Sequence, residues 1–171
     1  MRHTYPSSND KQRGAAAVEF AIVCLLFFTI LFAILEFGRM MYVYNTMQEV
    51  TRRGAREAVV RWIDPASQAE IRSLAFFGGA AIPAGAEVTA DDMVIEYLNE
   101  AGNLATPLPV DPGDNLSACG NITLVDSCIF SVRVSIVGVS YSPMVSLFSF
   151  LGVNLPPATV TMQAESLGFE I

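Results

Sequence analysis

An uncharged apolar segment near the N-terminus constrains this chain more than any other feature. From Phe20 to Leu35 there are sixteen consecutive residues without charge, and twelve of them are Leu, Ile, Val or Phe. Extended back to Ala15, the segment forms about 31 Å of helix, against roughly 30 Å of bilayer hydrocarbon. Its apolar residues favour insertion by about 4 to 7 kcal/mol, which exceeds the cost of one terminal carboxylate, Glu19. The sequence therefore predicts a transmembrane helix.

The helical pattern continues beyond this segment. Apolar or small residues recur at steps of three and four, and charged residues fill the other faces. The recurring positions are Val43, Met47, Val50, Gly54, Ala58 and Trp62. The pair Asp64-Pro65 then suits the end of this helix and the start of a second helix that continues to about Phe77. We therefore expect a basic leader at 1–14, a transmembrane and protruding helix at 15–63, and a separate domain at 64–171.

The C-terminal domain is predicted to contain β-strands. Apolar and polar residues alternate from Phe130 to Ile136, which is typical of a half-buried strand. The alternation changes parity beyond Gly138, and a β-bulge there would restore the facing. A final strand is expected around 159–165. The expected fold class is α+β, with a long N-terminal transmembrane helix followed by a small, β-rich extracytoplasmic head.

Two further segments of the head are ambiguous in sequence. Residues 93–99 suit a strand, although Thr89 and Asp92 just before them resemble a helix cap, and we predict a strand. Residues 144–151 are apolar and lie between Pro143 and Gly152. They predict a short helical turn or loop that packs on the sheet, with the core side chains Phe148, Phe150 and Leu151.

Charge and composition exclude several classes of function. The chain has 17 acidic and 10 basic residues, so no electrostatic basis for binding nucleic acid is present. Residues 64–171 alone carry twelve acidic and two basic groups. The single histidine is His3, which leaves no imidazole base for a Ser or Cys nucleophile and no imidazole for a zinc site. We expect no enzymatic activity and no cofactor or metal.

Three cysteines divide between the two regions. Cys24 lies in the apolar segment, where a thiol most often acts as a small apolar side chain. Cys119 and Cys128 have eight residues between them and are a plausible disulfide if the head lies in an oxidising compartment. Two free thiols in a cytosolic domain are the alternative. A zinc site is less favoured, because neither a CxxC motif nor a downstream histidine accompanies the pair.

The junction between leader and membrane segment contains the residues that carry chemistry. A basic stretch ends in Gly14, and Glu19 is the fifth residue after this glycine. A carboxylate in a membrane helix is costly and indicates a specific partner. Cleavage after Gly14 would give Ala15 a charged amine, with which Glu19 of a neighbouring subunit could pair. The alternatives are a carboxylate solvated by headgroups and a glycine that serves only as a flexible junction before a signal anchor.

This junction resembles the type IV prepilin class, and within it the TadE-like pseudopilins of tight-adherence pilus systems. The resemblance rests on Arg13-Gly14-Ala15-Ala16-Ala17-Val18-Glu19-Phe20 and on Glu36-Phe37-Gly38-Arg39. It continues more weakly into the strand at 130–141 and into Met162-Gln163-Ala164-Glu165. Small alanines after the glycine distinguish the chain from the common major pilins.

The resemblance implies a minor, non-catalytic part in assembling an adhesive pilus. It implies processing between Gly14 and Ala15 by a prepilin peptidase and an assembly role for Glu19 and Phe20. The implied partners are that peptidase, other pseudopilins or pilin subunits, the inner-membrane assembly platform and the lipid bilayer.

Orientation and the membrane boundary follow from the same residues. Counting basic residues on the two sides of the membrane segment gives a tie. The processing motif and the cysteine pair favour a cytoplasmic leader in the bacterial inner membrane, with residues 40–171 outside. Glu36 and Arg39 are predicted to form an interfacial ion pair that ends the membrane segment.

The alternative function is a signal-anchored extracytoplasmic binding or sensory module. In such a module the aspartates of the head could bind calcium, although they lack EF-hand spacing.

Overall fold

The computed structural model describes residues 9–150, 152–165 and 167–168, and its fold is α+β as predicted. A helix of 50 residues, α1 (Asn9–Ala58), is followed by a small head built from antiparallel sheets. Within its described residues the head contains two further helices, α2 (Pro65–Ala75) and α3 (Pro112–Cys119). Its strands are β1 (Ala81–Ile82), β2 (Gly85–Thr89), β3 (Met93–Leu98), β4 (Ser131–Ile136), β5 (Ser140–Tyr141), β6 (Val153–Asn154) and β7 (Ala158–Gln163).

Both ends of α1 differ from the predicted helix at 15–63. The helix already includes residues 9–14, which were assigned to the leader. At the other end it stops at Ala58. The carbonyl oxygen of Val59 accepts hydrogen bonds from the N–H groups of Glu165 and Leu167, both at 3.2 Å, and is turned toward the C-terminal segment. Residues 1–8 of the leader lie outside the described residues.

The N-terminal half of α1 has the character of a membrane span. The helix is long and apolar enough to cross a bilayer, and none of its most apolar part is buried against the rest of the chain. The large apolar side chains between Val18 and Leu35 are exposed. This half of the helix is therefore available to lipid or to other helices.

The C-terminal half of α1 packs against the head along its length. The predicted apolar face is buried, with Val43, Met47, Val50 and Ala58 almost completely inaccessible. At Gly54 the helix approaches the sheet so closely that an added Cβ would lie 3.0 Å from Cε of Met93. Tertiary packing of one helical face thus holds the protruding helix against the head.

Three strands form the main sheet, in the order β3-β4-β7 with antiparallel pairing. Val132, Val134 and Ile136 of β4 are fully buried, as the alternation predicted, and α1 packs against β4 and β7. The predicted strand at 93–99 is present as β3. The helix-like signal before it is also real, because Thr89 and Asp92 form a capping box around a 3₁₀ turn at Ala90–Asp92.

The predicted β-bulge near Gly138 is wrong. β4 ends at Ile136, and β5 begins at Ser140 in a different sheet, where it pairs with β6. Gly138 has φ +74°, a left-handed conformation that glycine adopts without steric cost. The change of parity therefore marks a turn out of the main sheet.

The prediction for residues 144–151 is correct only in part. Ser146–Phe148 form a 3₁₀ turn, and Phe148 is buried. Phe150 was expected in the core but is 78% exposed, because the short turn places only Phe148 against α1. Leu151 lies outside the described residues.

The head has two ends that can be placed relative to the membrane. Tyr141, which follows β4, lies against Glu36, where α1 leaves its apolar segment. At the opposite end of β4, Ser131 is close to the C-terminal end of α1, about 34 Å farther along the helix axis. We call the first the membrane-proximal end and the second the membrane-distal end. The connection between β3 and β4, residues 99–130, lies at the membrane-distal end and contains the predicted disulfide between Cys119 and Cys128.

Candidate functional site at the membrane exit of the long helix

Glu36 and Arg39 lie one helical turn apart where α1 leaves its apolar segment. Nε of Arg39 is 3.3 Å from Oε1 of Glu36. Both side chains are nearly buried, with only 14% of Arg39 and 11% of Glu36 exposed. The pair is therefore enclosed by the head, and its predicted role as the boundary of the membrane segment stays a prediction.

The Glu36 carboxylate is the central acceptor of this site. Oε1 accepts hydrogen bonds from the hydroxyl of Tyr141 at 2.5 Å and from the backbone N–H of Met144 at 3.1 Å. The same hydroxyl lies 3.1 Å from the carbonyl oxygen of Glu36. Burial raises the pKa of Tyr141 to about 12, and its hydrogen bond to Glu36 acts in the same direction. Tyr141 is thus a neutral donor at physiological pH.

The Arg39 guanidinium connects the helix to two backbone segments of the head. It donates to the carbonyl oxygen of Ala84, at 2.9 Å, and to that of Ser142. Nη1 also lies 3.4 Å from Oε1 of Glu87, and the guanidinium carbon stands 4.4 Å from the centroid of the Tyr141 ring. We call Glu36, Arg39, Glu87 and Tyr141, with these backbone contacts, the exit clamp.

The exit clamp compensates the desolvation of its charged groups. An isolated carboxylate taken out of water would cost several kcal/mol, whereas hydrogen-bonded partners of opposite charge offset this cost. Arg39 suits the position because its planar fork can serve a carboxylate and two carbonyl groups together. The site therefore neutralises charge and fixes the head on the helix.

An apolar groove of about 240 Å³ lies beside the exit clamp. Ala33, Phe37 and Met40 of α1 form one side. Pro143, Phe148 and Val153 of the head form the other side. The head thus reaches along α1 to the level of Ala33, inside the segment predicted to span the membrane.

The residues predicted for processing and assembly lie apart from this site. Gly14, Ala15, Glu19 and Phe20 are exposed on α1. Glu19 precedes Glu36 by seventeen residues, about 26 Å of helix. The structure brings none of these four residues to the head, and their roles stay predictions.

Sequence reasoning identified the helical pair but missed its partners. Tyr141 and Glu87 lie far from Glu36 in sequence, and the contacts of Ala84, Ser142 and Met144 are made by backbone atoms that no side-chain pattern reveals. The one available signal was an acidic and a basic residue three positions apart at the end of an apolar helix.

Within the described part of the chain, no three His, Cys, Asp or Glu residues are grouped so as to hold a metal ion.

Comparison with known proteins identifies the N-terminal region. Residues 14–56 match the model of a family described as TadE-like protein. The match includes Gly14, Glu19, Glu36 and Arg39, and it stops within the protruding helix. No curated protein and no solved structure shows significant similarity to the chain. The match confirms the resemblance found in the sequence, over residues 14–56.

Proposed function

We propose that this protein is a minor pseudopilin that takes part in assembling a tight-adherence pilus. The match of residues 14–56 to the TadE-like family carries the proposal, because it contains both the proposed cleavage position and Glu19. The protein resides in the inner membrane with its leader in the cytoplasm and its acidic head outside. Its partners are a prepilin peptidase, other pilin-related subunits and the inner-membrane assembly platform, and it catalyses no reaction.

The proposed mechanism is transfer of the apolar helix from lipid into a helical assembly. The exposed N-terminal half of α1 supports it, since that half leaves its apolar surface free for neighbouring helices. The head is fixed to the same helix by the exit clamp and by the buried face of α1. A displacement of the helix therefore carries the head with it.

The two glutamates of the helix differ in where their charge is compensated. Glu36 is paired within its own chain by Arg39 and Tyr141. Glu19 is exposed on the lipid-facing part of α1. In the proposed mechanism Glu19 pairs with the amine of Ala15 from a neighbouring subunit after cleavage, which lowers the cost of burying the carboxylate.

Processing after Gly14 can be tested without disturbing the fold. A Cβ added at Gly14 would meet no atom within 4 Å, and the same is true of Gly38 in the same helix. In cells with an active prepilin peptidase, the intact mass of the wild-type protein should lack residues 1–14. Gly14→Ala, and more completely Gly14→Leu, should retain the leader. The matched control Gly38→Ala should be cleaved like wild type.

The assay also separates the proposal from its alternative. A signal-anchored sensory module would keep its leader whether or not the peptidase is active. A wild-type protein that still begins at Met1 while a pilus forms normally would contradict the proposed function.

A further inference from the structure

The head contains one long stretch of sequence without charged side chains. Between Arg133 and Glu165 lie 31 residues, 134–164, without a single charged side chain. The membrane-distal connection 99–130 has comparable length and carries four acidic residues. Part of this stretch is buried in β4, and its exposed part forms an uncharged region on a head that is otherwise strongly acidic.

Several apolar side chains of this stretch are exposed on one loop, residues 143–150, which we call the exit loop. Met144 is 76% exposed, Leu147 is 51% exposed and Phe150 is 78% exposed. Exposed apolar residues also occur in the membrane-distal connection, for example Val110 and Ile122, so exposure alone does not identify an interaction surface. The exit loop differs in carrying no charge and in lying beside the apolar segment of α1.

The position of the exit loop identifies what it meets. Phe148 of the loop lines the same groove as Ala33, which lies two residues before Leu35, the end of the predicted membrane segment. Two residues correspond to about 3 Å along the helix axis. The loop is therefore beside the last turn of helix that lipid surrounds, and its exposed surface continues the apolar surface of α1.

The exit clamp fixes the loop at this level. Arg39 holds the carbonyl group of Ser142, and Glu36 holds the N–H group of Met144. The charged side chains of Glu36 and Arg39 are nearly buried, so the exposed surface of the loop is uncharged and consists of apolar residues with Ser146 and Ser149.

We propose that the exit loop inserts into the interfacial region of the leaflet on the head's side of the membrane. The partner is the lipid bilayer itself, bound through Met144, Leu147 and Phe150. Because the loop carries no charge, its insertion does not depend on anionic lipid. The inference needs only a membrane-spanning α1 and is independent of any role in pilus assembly.

The depth of the loop can be measured on the full chain in lipid nanodiscs. In a Cys24→Ala background, a nitroxide is attached to Leu147→Cys or Phe150→Cys without reductant, so that the Cys119–Cys128 disulfide stays intact. Collision with oxygen and with a water-soluble nickel complex reports lipid and water exposure respectively. The matched control is Val110→Cys, because Val110 is 83% exposed in the membrane-distal connection.

Insertion predicts several-fold lower access of nickel at Leu147→Cys and Phe150→Cys than at Val110→Cys, with higher access of oxygen. The result should be the same in phosphatidylcholine and phosphatidylglycerol discs. Nickel access equal to that at Val110→Cys would place the loop in water and overturn the proposal. Exclusion of both reagents, with spin–spin broadening between chains, would show that a second copy covers the loop and would also overturn it. The two label positions give independent readings.

Discussion

The two ends of the head are stabilised by different means. At the membrane-proximal end the exit clamp joins the helix to the head through a buried ion pair and hydrogen bonds. At the membrane-distal end a disulfide joins Cys119 to Cys128 in a connection that carries four acidic residues. The two ends differ in exposed charge because their surroundings differ. Charge that faces lipid is costly, whereas charge that faces water maintains solubility.

The membrane-distal connection needs a covalent link because it buries little apolar surface. Its buried apolar residues include Ala105, Ala118 and Ile129, of which only the last is large. The buried side chain of Asn115 accepts the backbone N–H of Ile129 at 2.8 Å and joins α3 to the chain before β4. A short helix with so small a core is stabilised mainly by these local links. The membrane-proximal end instead uses long-range contacts to α1.

Removing the Glu36 carboxylate should destabilise the membrane-proximal end and have the largest effect of the variants considered. Glu36→Ala leaves the Arg39 guanidinium and the Tyr141 hydroxyl without their partner, and such losses cost about 3 kcal/mol when the pair is buried. We expect this decrease in the free energy of unfolding of the head in detergent micelles. Fluorescence of Trp62, the single tryptophan, provides the measurement.

A matched control is the ion pair between Glu49 and Arg53 on the same helix. Nε of Arg53 lies 3.1 Å from Oε1 of Glu49, but both side chains are nearly half exposed. Glu49→Ala should therefore cost about 0.5 kcal/mol or less. Equal effects of Glu36→Ala and Glu49→Ala would show that the exit clamp does not stabilise the head.

Loss of the disulfide should destabilise the membrane-distal end, by somewhat less than the effect expected for Glu36→Ala. Cys119→Ser combined with Cys128→Ser removes a link that closes a loop of about ten residues, worth about 2 to 3 kcal/mol. Hydrogen exchange should accelerate in residues 99–130 and remain unchanged around Tyr141. Cys24→Ala serves as the control for loss of a thiol. Accelerated exchange at both ends would show that the two ends are not independent.

Two buried tyrosines, one at each end of the head, allow the stabilising effect of a buried hydroxyl group to be compared directly. Tyr141→Phe removes a donor to the Glu36 carboxylate and should cost about 1.5 kcal/mol. Tyr97 lies near the membrane-distal end of β3, and its buried hydroxyl has no hydrogen-bond partner among the described residues. Tyr97→Phe should therefore leave the free energy of unfolding unchanged or raise it. Similar losses in both variants, measured by urea unfolding, would contradict the assigned hydrogen bond.

The parts of the fold that depend on local periodicity could be predicted from the sequence. The buried face of α1 at Val43, Met47 and Val50 follows from helical spacing, and β3 and β4 follow from strand-forming residues and alternation. The error at Gly138 has a physical reason: a change of parity is consistent with either a bulge or a turn out of the sheet. Only the tertiary arrangement decides between them.

The exit clamp could be predicted only as a pair. Glu36 and Arg39 are local in sequence, but Tyr141 is 105 positions from Glu36, and its contact depends on how β4, β5 and α1 come together. Phe150 shows the opposite error, because hydrophobicity alone assigned it to the core. A side chain beside a membrane can be apolar and exposed to the bilayer, so composition does not distinguish core from lipid surface.

Alkaline pH should lower the stability of the wild-type protein through one buried tyrosine at each end of the head. Burial raises the pKa of both Tyr97 and Tyr141 to about 12, from an ordinary value of 10.0. Below pH 10 both hydroxyls are protonated in the folded and the unfolded chain, so they add no pH dependence. Between pH 10 and 12 the unfolded chain releases protons that the folded chain retains, and stability falls as the pH rises.

The alkaline effect can be assigned to each end by titration of the variants. Tyr141→Phe and Tyr97→Phe should each reduce the slope of unfolding free energy against pH in this range, and the double variant should reduce it further. Ultraviolet absorbance of tyrosinate follows the same groups in the folded protein. A double variant with the slope of wild type would show that neither buried hydroxyl retains its proton. A reduction in Tyr141→Phe alone would show that the Tyr97 hydroxyl is open to water in the folded chain, which would contradict its burial beside β4 in the main sheet.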